Sequence, residues 1–136
     1  MANPNKVKGT AWERACEDYL ASKLDLIRRC PPHGPIDKGD LWSPGIAWQC
    51  KNHKAMDLAG WTDATTKQAE NAGEKYGIAL VKRRNHSVGR GYAVTTVETM
   101  ARLVAEVEHL KNELKQADAV INALRGPSWP SGHVVR

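Results

Sequence analysis

The stretch Gly39-Asp40-Leu41-Trp42-Ser43-Pro44-Gly45-Ile46-Ala47-Trp48-Gln49-Cys50-Lys51 holds two short apolar-rich runs on either side of a Pro-Gly pair. Proline presets φ for the first corner of a tight turn and glycine accepts the second, so the runs are expected to pair as hairpin strands. Side chains alternate across a strand, which puts Ile46, Trp48 and Cys50 on one face and Ala47, Gln49 and Lys51 on the other. Few structural needs explain a Gln-x-Lys pair on one face of an otherwise apolar strand. A carboxylate from the start of the first strand, Asp40, can meet an amide oxygen and an ammonium there.

On the N-terminal side, Leu26-Ile27-Arg28-Arg29-Cys30 reads as a short strand, ended by the loop Pro31-Pro32-His33-Gly34-Pro35, which neither helix nor ladder can continue. Asp37 and Lys38 then lead into Asp40. Earlier still, a helical period begins at Gly9, with Trp12, Ala15, Cys16, Tyr19, Leu20 and Leu24 on one stripe. Thr10 is the expected N-cap, with Glu13 completing a capping-box pattern, and residues 1–8 form a polar, basic arm. Glu13 thus has two readings at this point: a first-turn acid satisfied by the cap and the helix dipole, or an acid of a site.

On the C-terminal side, Asn52-His53-Lys54 is a polar corner. Residues 57–75 are expected to be helical, with Ala64, Gln68, Ala72 and Tyr76 on one line and Gly77 as the stop. On that line Gln68 either packs or faces the site. Ile78–Val81 reads as a buried strand running into Lys82-Arg83-Arg84, and after a loop with Gly89 and Gly91 the β-branched run Tyr92–Val97 reads as the last strand. The order α-β-β-β-α-β-β predicts one small α/β domain over residues 1–97, a mixed sheet flanked by helices.

The following element differs in kind. Met100, Leu103, Val107, Leu110, Leu114, Ala117, Ile121 and Leu124 alternate spacings of three and four, the a/d seam of a coiled coil. Residues 98–125 are therefore expected to be a helix that zips to a second copy of the chain, making a homodimer. Glu106 and Lys111 can pair between parallel copies while Glu113 and Asp118 repel, so both orientations stay open. Gly126-Pro127 ends the helix, and residues 126–136 are expected to be a flexible tail.

Composition sets outer bounds. A chain of 136 residues with 26% charged and 41% apolar residues has room for one real core. No run of ~18 apolar residues and no signal-peptide pattern is present, which leads to the expectation of a cytoplasmic protein of a bacterial or phage-infected cell. The formal charge of +5 leans toward a polyanionic partner. Cys16, Cys30 and Cys50 lie far apart without a Cys-x-x-Cys, and the five histidines show no ligand spacing, so neither a disulfide framework nor a zinc site is expected. A metal would be held by oxygen. Asp40, Gln49 and Glu13 supply hard oxygen ligands that suit Mg²⁺ or Mn²⁺, and Lys51 supplies a fixed positive charge. Such a set suits metal-assisted hydrolysis of a phosphodiester, with Arg28, Arg29, Lys54, Lys82, Arg83 and Arg84 available to the nucleic-acid backbone.

An acid on the first helix, an Asp opening a hairpin and a (Glu/Gln)-x-Lys on the next strand resemble the PD-(D/E)XK nuclease superfamily. Within it, Lys8-Gly9-Thr10-Ala11-Trp12-Glu13-Arg14 is similar to the opening helix of archaeal-type Holliday junction resolvases. The resemblance spans about residues 8–97 and implies a restriction-endonuclease-like fold. It implies that Glu13 and Asp40 are metal-binding carboxylates, Gln49 the third ligand and Lys51 the catalytic lysine, with the Cys50 carbonyl also facing the metal. Gln68 and Lys82 match positions that assist in related nucleases, and with the basic residues above they form the implied DNA-contacting set. Two departures stand out: Gln49 replaces the usual Glu, as in Mrr-like branches, and Gly39-Asp40 replaces the Pro-Asp pair. Asp37, after Pro35-Ile36, is a rival for the motif aspartate, with Asp40 preferred because Leu41-Trp42 continues as a strand.

The resulting expectation is a Mg²⁺-dependent, dimeric endonuclease of branched DNA, a Holliday junction resolvase of a phage-type recombination system. The alternatives are a restriction- or repair-type nuclease of linear duplex, flaps or ends, and an inactive DNA-binding dimer on the same fold.

Overall fold

The computed structural model describes residues 3–31 and 35–126. The elements run α1 (Pro4–Ala21), β1 (Arg28–Arg29), β2 (Leu41–Ser43), β3 (Ile46–Lys51), α2 (Leu58–Ala72), β4 (Tyr76–Val81), a single 3-10 turn (Val88–Arg90), β5 (Tyr92–Val94) and α3 (Val97–Arg125). This is an α/β protein with a five-stranded mixed sheet in the order β1-β2-β3-β4-β5, in the element order expected. The chain divides into two units, residues 1–99 and 100–136.

β2 and β3 form the expected hairpin, antiparallel with Ser43 opposite Ile46 and Leu41 opposite Trp48. Gly45 takes φ 89° at the turn, a conformation open to glycine at no steric cost. β3 and β4 are parallel, with Gln49 opposite Ala79 and Lys51 opposite Val81, and α2 makes the crossover between them. β1 and β5 close the two edges as antiparallel strands.

The alternation along β3 sorts the two layers. Trp48 packs with Leu41, Ile78, Trp12 and Cys16, together with the half-buried Ile46 and Cys50, so this face carries α1. Trp12 also donates its indole Nε1–H to the Leu80 carbonyl at 3.1 Å, tying α1 to β4. On the opposite face Trp61 of α2 packs on Ala79 and Val81. Leu41 is fully buried, which stabilises the hairpin's place in the core by about 1.5–3 kcal/mol.

Several boundaries differ from expectation, each for a local reason. α1 starts two turns early: Asn3 is the N-cap, its side chain accepting the Asn5 N–H at 3.0 Å, and Pro4 follows where proline is best tolerated. Thr10 is therefore not a cap, residues 4–8 are helix instead of arm, and Glu13 lies well inside the helix. α2 stops at Gly73, in the left-handed conformation of a C-cap, and not at Gly77. Gly77 belongs to β4, where α2 crosses so closely that a Cβ would collide with the Thr65 carbonyl oxygen. β1 keeps only Arg28 and Arg29 of its expected span. β5 ends at Val94 because Thr96 caps α3, its Oγ1 accepting the Thr99 N–H at 3.1 Å.

α3, 29 residues long, is continuous over the heptad seam. Met100, Val107, Leu110, Leu114, Ile121 and Leu124 are all exposed, Leu114 at 64% and Leu124 at 82%. Among the described residues no helix is long and apolar enough to cross a membrane. The expected tail from Pro127 onward, the first two residues of the arm, and Pro32, His33 and Gly34 of the proline-rich loop lie outside the described residues.

Candidate active site

The site forms where β2 begins. Asp40 sits one residue before β2 and is fastened on three sides: its N–H donates to the Trp48 carbonyl (2.8 Å), its carbonyl accepts the Cys30 N–H (2.9 Å), and its Oδ2 accepts the Cys50 N–H at 2.7 Å. The last bond takes an amide that β2 is too short to pair. A residue in an extended strand sends its N–H and C=O to the same edge, so the Cys50 carbonyl also leaves on the Asp40 side.

Gly39 holds a conformation that proline could not take. Its φ is 92°, and a Cβ would stand 2.8 Å from the Trp48 carbonyl oxygen. Proline's φ is fixed near −65°, so the residue before Asp40 has to be glycine for the Asp40–Trp48 bond to form.

Glu13 reaches Asp40 from α1. The two carboxyls are hydrogen-bonding neighbours, and both are held above the ordinary carboxylate range. For Glu13 the causes are burial first and the Asp40 charge second, offset by Arg29. For Asp40 burial dominates, opposed by the Cys50 N–H, the Glu13 hydrogen bond and the Lys51 ammonium. Arg29 bridges Glu13 at 3.3 Å and Glu17 at 3.6 Å, and its Nη2 also donates to the Thr10 carbonyl. Two neighbouring acids that both hold their protons more tightly than usual are what a cation would relieve.

Gln49 and Lys51 share the strand face opposite Trp48. Gln49 Oε1 is buried and has no hydrogen-bond partner among the described residues, an uncommon state for an amide oxygen. Such an oxygen carries a free lone pair for a hard ion. Among the described residues no group of three or more His, Cys, Asp and Glu gathers as a metal cluster. A divalent ion would therefore rest on Asp40 and Glu13 and draw neutral oxygens, Gln49 Oε1 and the Cys50 carbonyl, to complete its shell. The donor set is all oxygen, which fits Mg²⁺ or Mn²⁺.

Asp37, the rival aspartate, adds its charge to what raises Asp40, but its hydrogen bonds go elsewhere. Its Oδ1 accepts the Gly39 N–H at 2.9 Å and its Oδ2 accepts from Gln68 Nε2 at 2.8 Å, while Asn71 Nδ2 donates to its carbonyl at 2.9 Å. Both carboxylate oxygens are engaged by the fold. Gln68, expected to contact DNA, is only 2% exposed, so what it does passes through Asp37 and through its own unpartnered Oε1. No pattern in the sequence points to Asn71 or to the Arg29–Glu17 pair.

The basic residues divide by environment. Arg28 is exposed, its guanidinium 5.5 Å from the Trp42 ring centre. Lys82 lies over Trp12 and Arg83 over Tyr92, at 6.0 and 5.8 Å. Lys54 and Arg84 are exposed. Arg29 spends its charge on Glu13 and Glu17, which makes it part of the acid pair's surroundings. A cavity of about 810 Å³, lined by Arg28, Lys38, Trp42, Asp37 and Asp40 among others, opens beside the site. Scans against protein-family models, curated proteins and solved structures return no match to this chain.

Proposed function

We propose that the protein is a divalent-metal-dependent endodeoxyribonuclease of the restriction-endonuclease-like, PD-(D/E)XK kind, acting on branched DNA as Holliday junction resolvases do. The observation that carries this reading is the Glu13–Asp40 carboxyl pair beside the Lys51 charge, with the unpartnered oxygen of Gln49 two residues before Lys51 on β3. Arg29 on Glu13 and the Cys50 N–H on Asp40 offset burial only in part, since both carboxyls stay above their ordinary range.

Each residue has a role by its chemistry. Asp40, Glu13 and Gln49, with the Cys50 carbonyl, hold Mg²⁺ or Mn²⁺, which when bound polarises the phosphate and acidifies a coordinated water. Lys51 steadies negative charge as it develops on the phosphate oxygens. Arg28, Lys54, Lys82, Arg83 and Arg84 take the DNA backbone on either side. Arg83, 5.8 Å from the Tyr92 ring centre, has its side chain partly preorganised, which lowers the entropy cost of gripping a phosphate.

The exposed seam of α3 supports a homodimer, and two active sites related by symmetry match a substrate with two strands to cut. The described part of the chain holds no separate sequence-reading module, which favours recognition of DNA shape. The deciding experiment is cleavage of four-way junction, flap and linear duplex by one preparation, with Mg²⁺, with Mn²⁺ and with EDTA. Metal-dependent nicking of the junction above the other two is expected. Preference for flaps or linear ends would move the assignment to a repair- or restriction-type nuclease. DNA binding with no nicking would leave a binding protein on a nuclease-like fold.

A further inference from the structure

Asp37 takes no part in the acid pair, yet the segment leading into Asp40 hangs on it. Gln68 and Asn71, both on α2, hold its carboxylate and its carbonyl at 2.8 and 2.9 Å, and its other carboxylate oxygen closes a turn onto the Gly39 N–H. Immediately after Gly39 comes Asp40, whose main chain is already pinned to Trp48 and Cys30. Gln68 is buried, and a Cβ on Gly39 would stand 3.7 Å from its Oε1, so the amide lies along the backbone it supports. An exposed loop needs none of this to stay folded. Three hydrogen bonds that converge on one residue fix its position far better than any one of them does.

We infer that Asp37 is a positioning residue. Through Gln68 and Asn71 it fastens the loop to α2 and sets where the Asp40 carboxylate stands relative to β3. The inference rests on the metal-dependent reading above, since what it positions is a metal ligand. Partners that orient a ligand without touching the metal are typically worth about 10- to 100-fold in metal affinity.

The test exchanges donor and acceptor across the pair. Asp37→Ala removes the acceptor, and Gln68→Glu sets two carboxylates against each other. The double variant Asp37→Asn/Gln68→Glu restores the bond with its direction reversed, and the amide oxygen it places at position 37 still accepts the Gly39 N–H. Mn²⁺ affinity by calorimetry and the Mg²⁺ concentration for half-maximal junction cleavage are measured for each. Both single variants are expected to weaken Mn²⁺ binding and to raise half-saturating Mg²⁺ by about tenfold. The rate at saturating metal stays near the parent's, and the double variant returns to parental values. The inference is overturned if Asp37→Ala shows parental metal dependence with only a lowered melting temperature, or if the double variant behaves like Gln68→Glu. Asp40→Asn is measured in parallel. Should it bind Mn²⁺ as the parent does, or the parent bind none, the metal reading falls and this inference with it. Should Asp40→Asn lose metal while Asp37→Ala keeps it, the inference alone falls.

Discussion

Glu13, in the interior of α1, and Asp40, in the loop before β2, have carboxyls that interact, and both are held above the ordinary carboxylate range, Glu13 by burial and the Asp40 charge, Asp40 by burial above all. Because the helix begins at Pro4, capped by Asn3, no helix terminus or cap accounts for Glu13. Its main company is an acid, with Arg29 as a shared and partly exposed counter-charge.

This pair gives a stability signature of definite sign. An acid with a raised folded-state value keeps its proton where the unfolded chain has already released it, so stability falls as pH rises from about 4 through the folded values. Asp40→Asn removes one charge and keeps an oxygen to accept the Cys50 N–H. In EDTA at neutral pH this variant is expected to melt higher than the parent, and the gap should close in acid. Junction cleavage should drop at least about 100-fold, as loss of a direct ligand exceeds the cost of losing its support. Thermal melts from pH 4 to 8 with matched cleavage assays check both halves. A lower melting temperature at neutral pH would show the carboxylate to be a structural acid.

Lys51 is assigned to the chemical step, so Lys51→Ala should abolish nicking while gel-shift affinity for a junction changes little. Lys51→Arg should not restore it, because a planar guanidinium does not present the compact charge of an ammonium. If Lys51→Ala weakens binding and cleavage in equal proportion, the lysine is a phosphate contact only.

The hairpin and its two faces were legible because alternation along β3 and the Pro-Gly turn are local signals that tertiary structure did not override. The long helix was legible for the same reason, its seam being a property of spacing alone. The start of α1 was not, since the Thr10…Glu13 pattern reads as a cap, whereas the helix starts two turns earlier on the Asn3 side-chain cap with Pro4 behind it. The end of α2 reads from sequence as Gly77, whereas Gly73 closes the helix in the left-handed conformation and Gly77 serves the close crossing of β4 at Thr65. Of the site, the residues carrying charge could be nominated. The Asp37–Gln68–Asn71 fastening could not, because nothing in spacing says that an exposed aspartate and a buried helical glutamine meet.

Gly39 gives a backbone prediction. Gly39→Ala forces a side chain into a left-handed φ and to 2.8 Å from the Trp48 carbonyl oxygen. The expected cost is about 1–3 kcal/mol, read as a shifted midpoint in urea. Gly39→Pro should be worse, since it also deletes the N–H that Asp37 accepts.

Gln49 offers a gain. Its Oε1 is already buried and unpartnered, so Gln49→Glu adds a charged oxygen where a neutral one stands. On the proposed ligand set, a third carboxylate should lower the melting temperature in EDTA and tighten Mn²⁺ binding, reversing the order of stability once metal is added. Melts with and without Mn²⁺ read both effects in one experiment. Unchanged metal affinity would remove Gln49 from the ligand set.

The seam of α3 makes the last prediction. Leu110 and Leu114 are a d and an a position, 54% and 64% exposed on the single chain, and burying each in a partner helix is worth about 1.5–3 kcal/mol. Leu110→Glu with Leu114→Glu should therefore convert a dimer to a monomer in sedimentation, as should ending the chain after Thr99, which retains the Thr96 cap bond. The monomer should still bind a junction and nick single strands. Paired cuts within one binding event should disappear, because the second site is no longer delivered with the first. A monomeric parent, or a double variant that stays dimeric, would show that α3 is not the dimer contact.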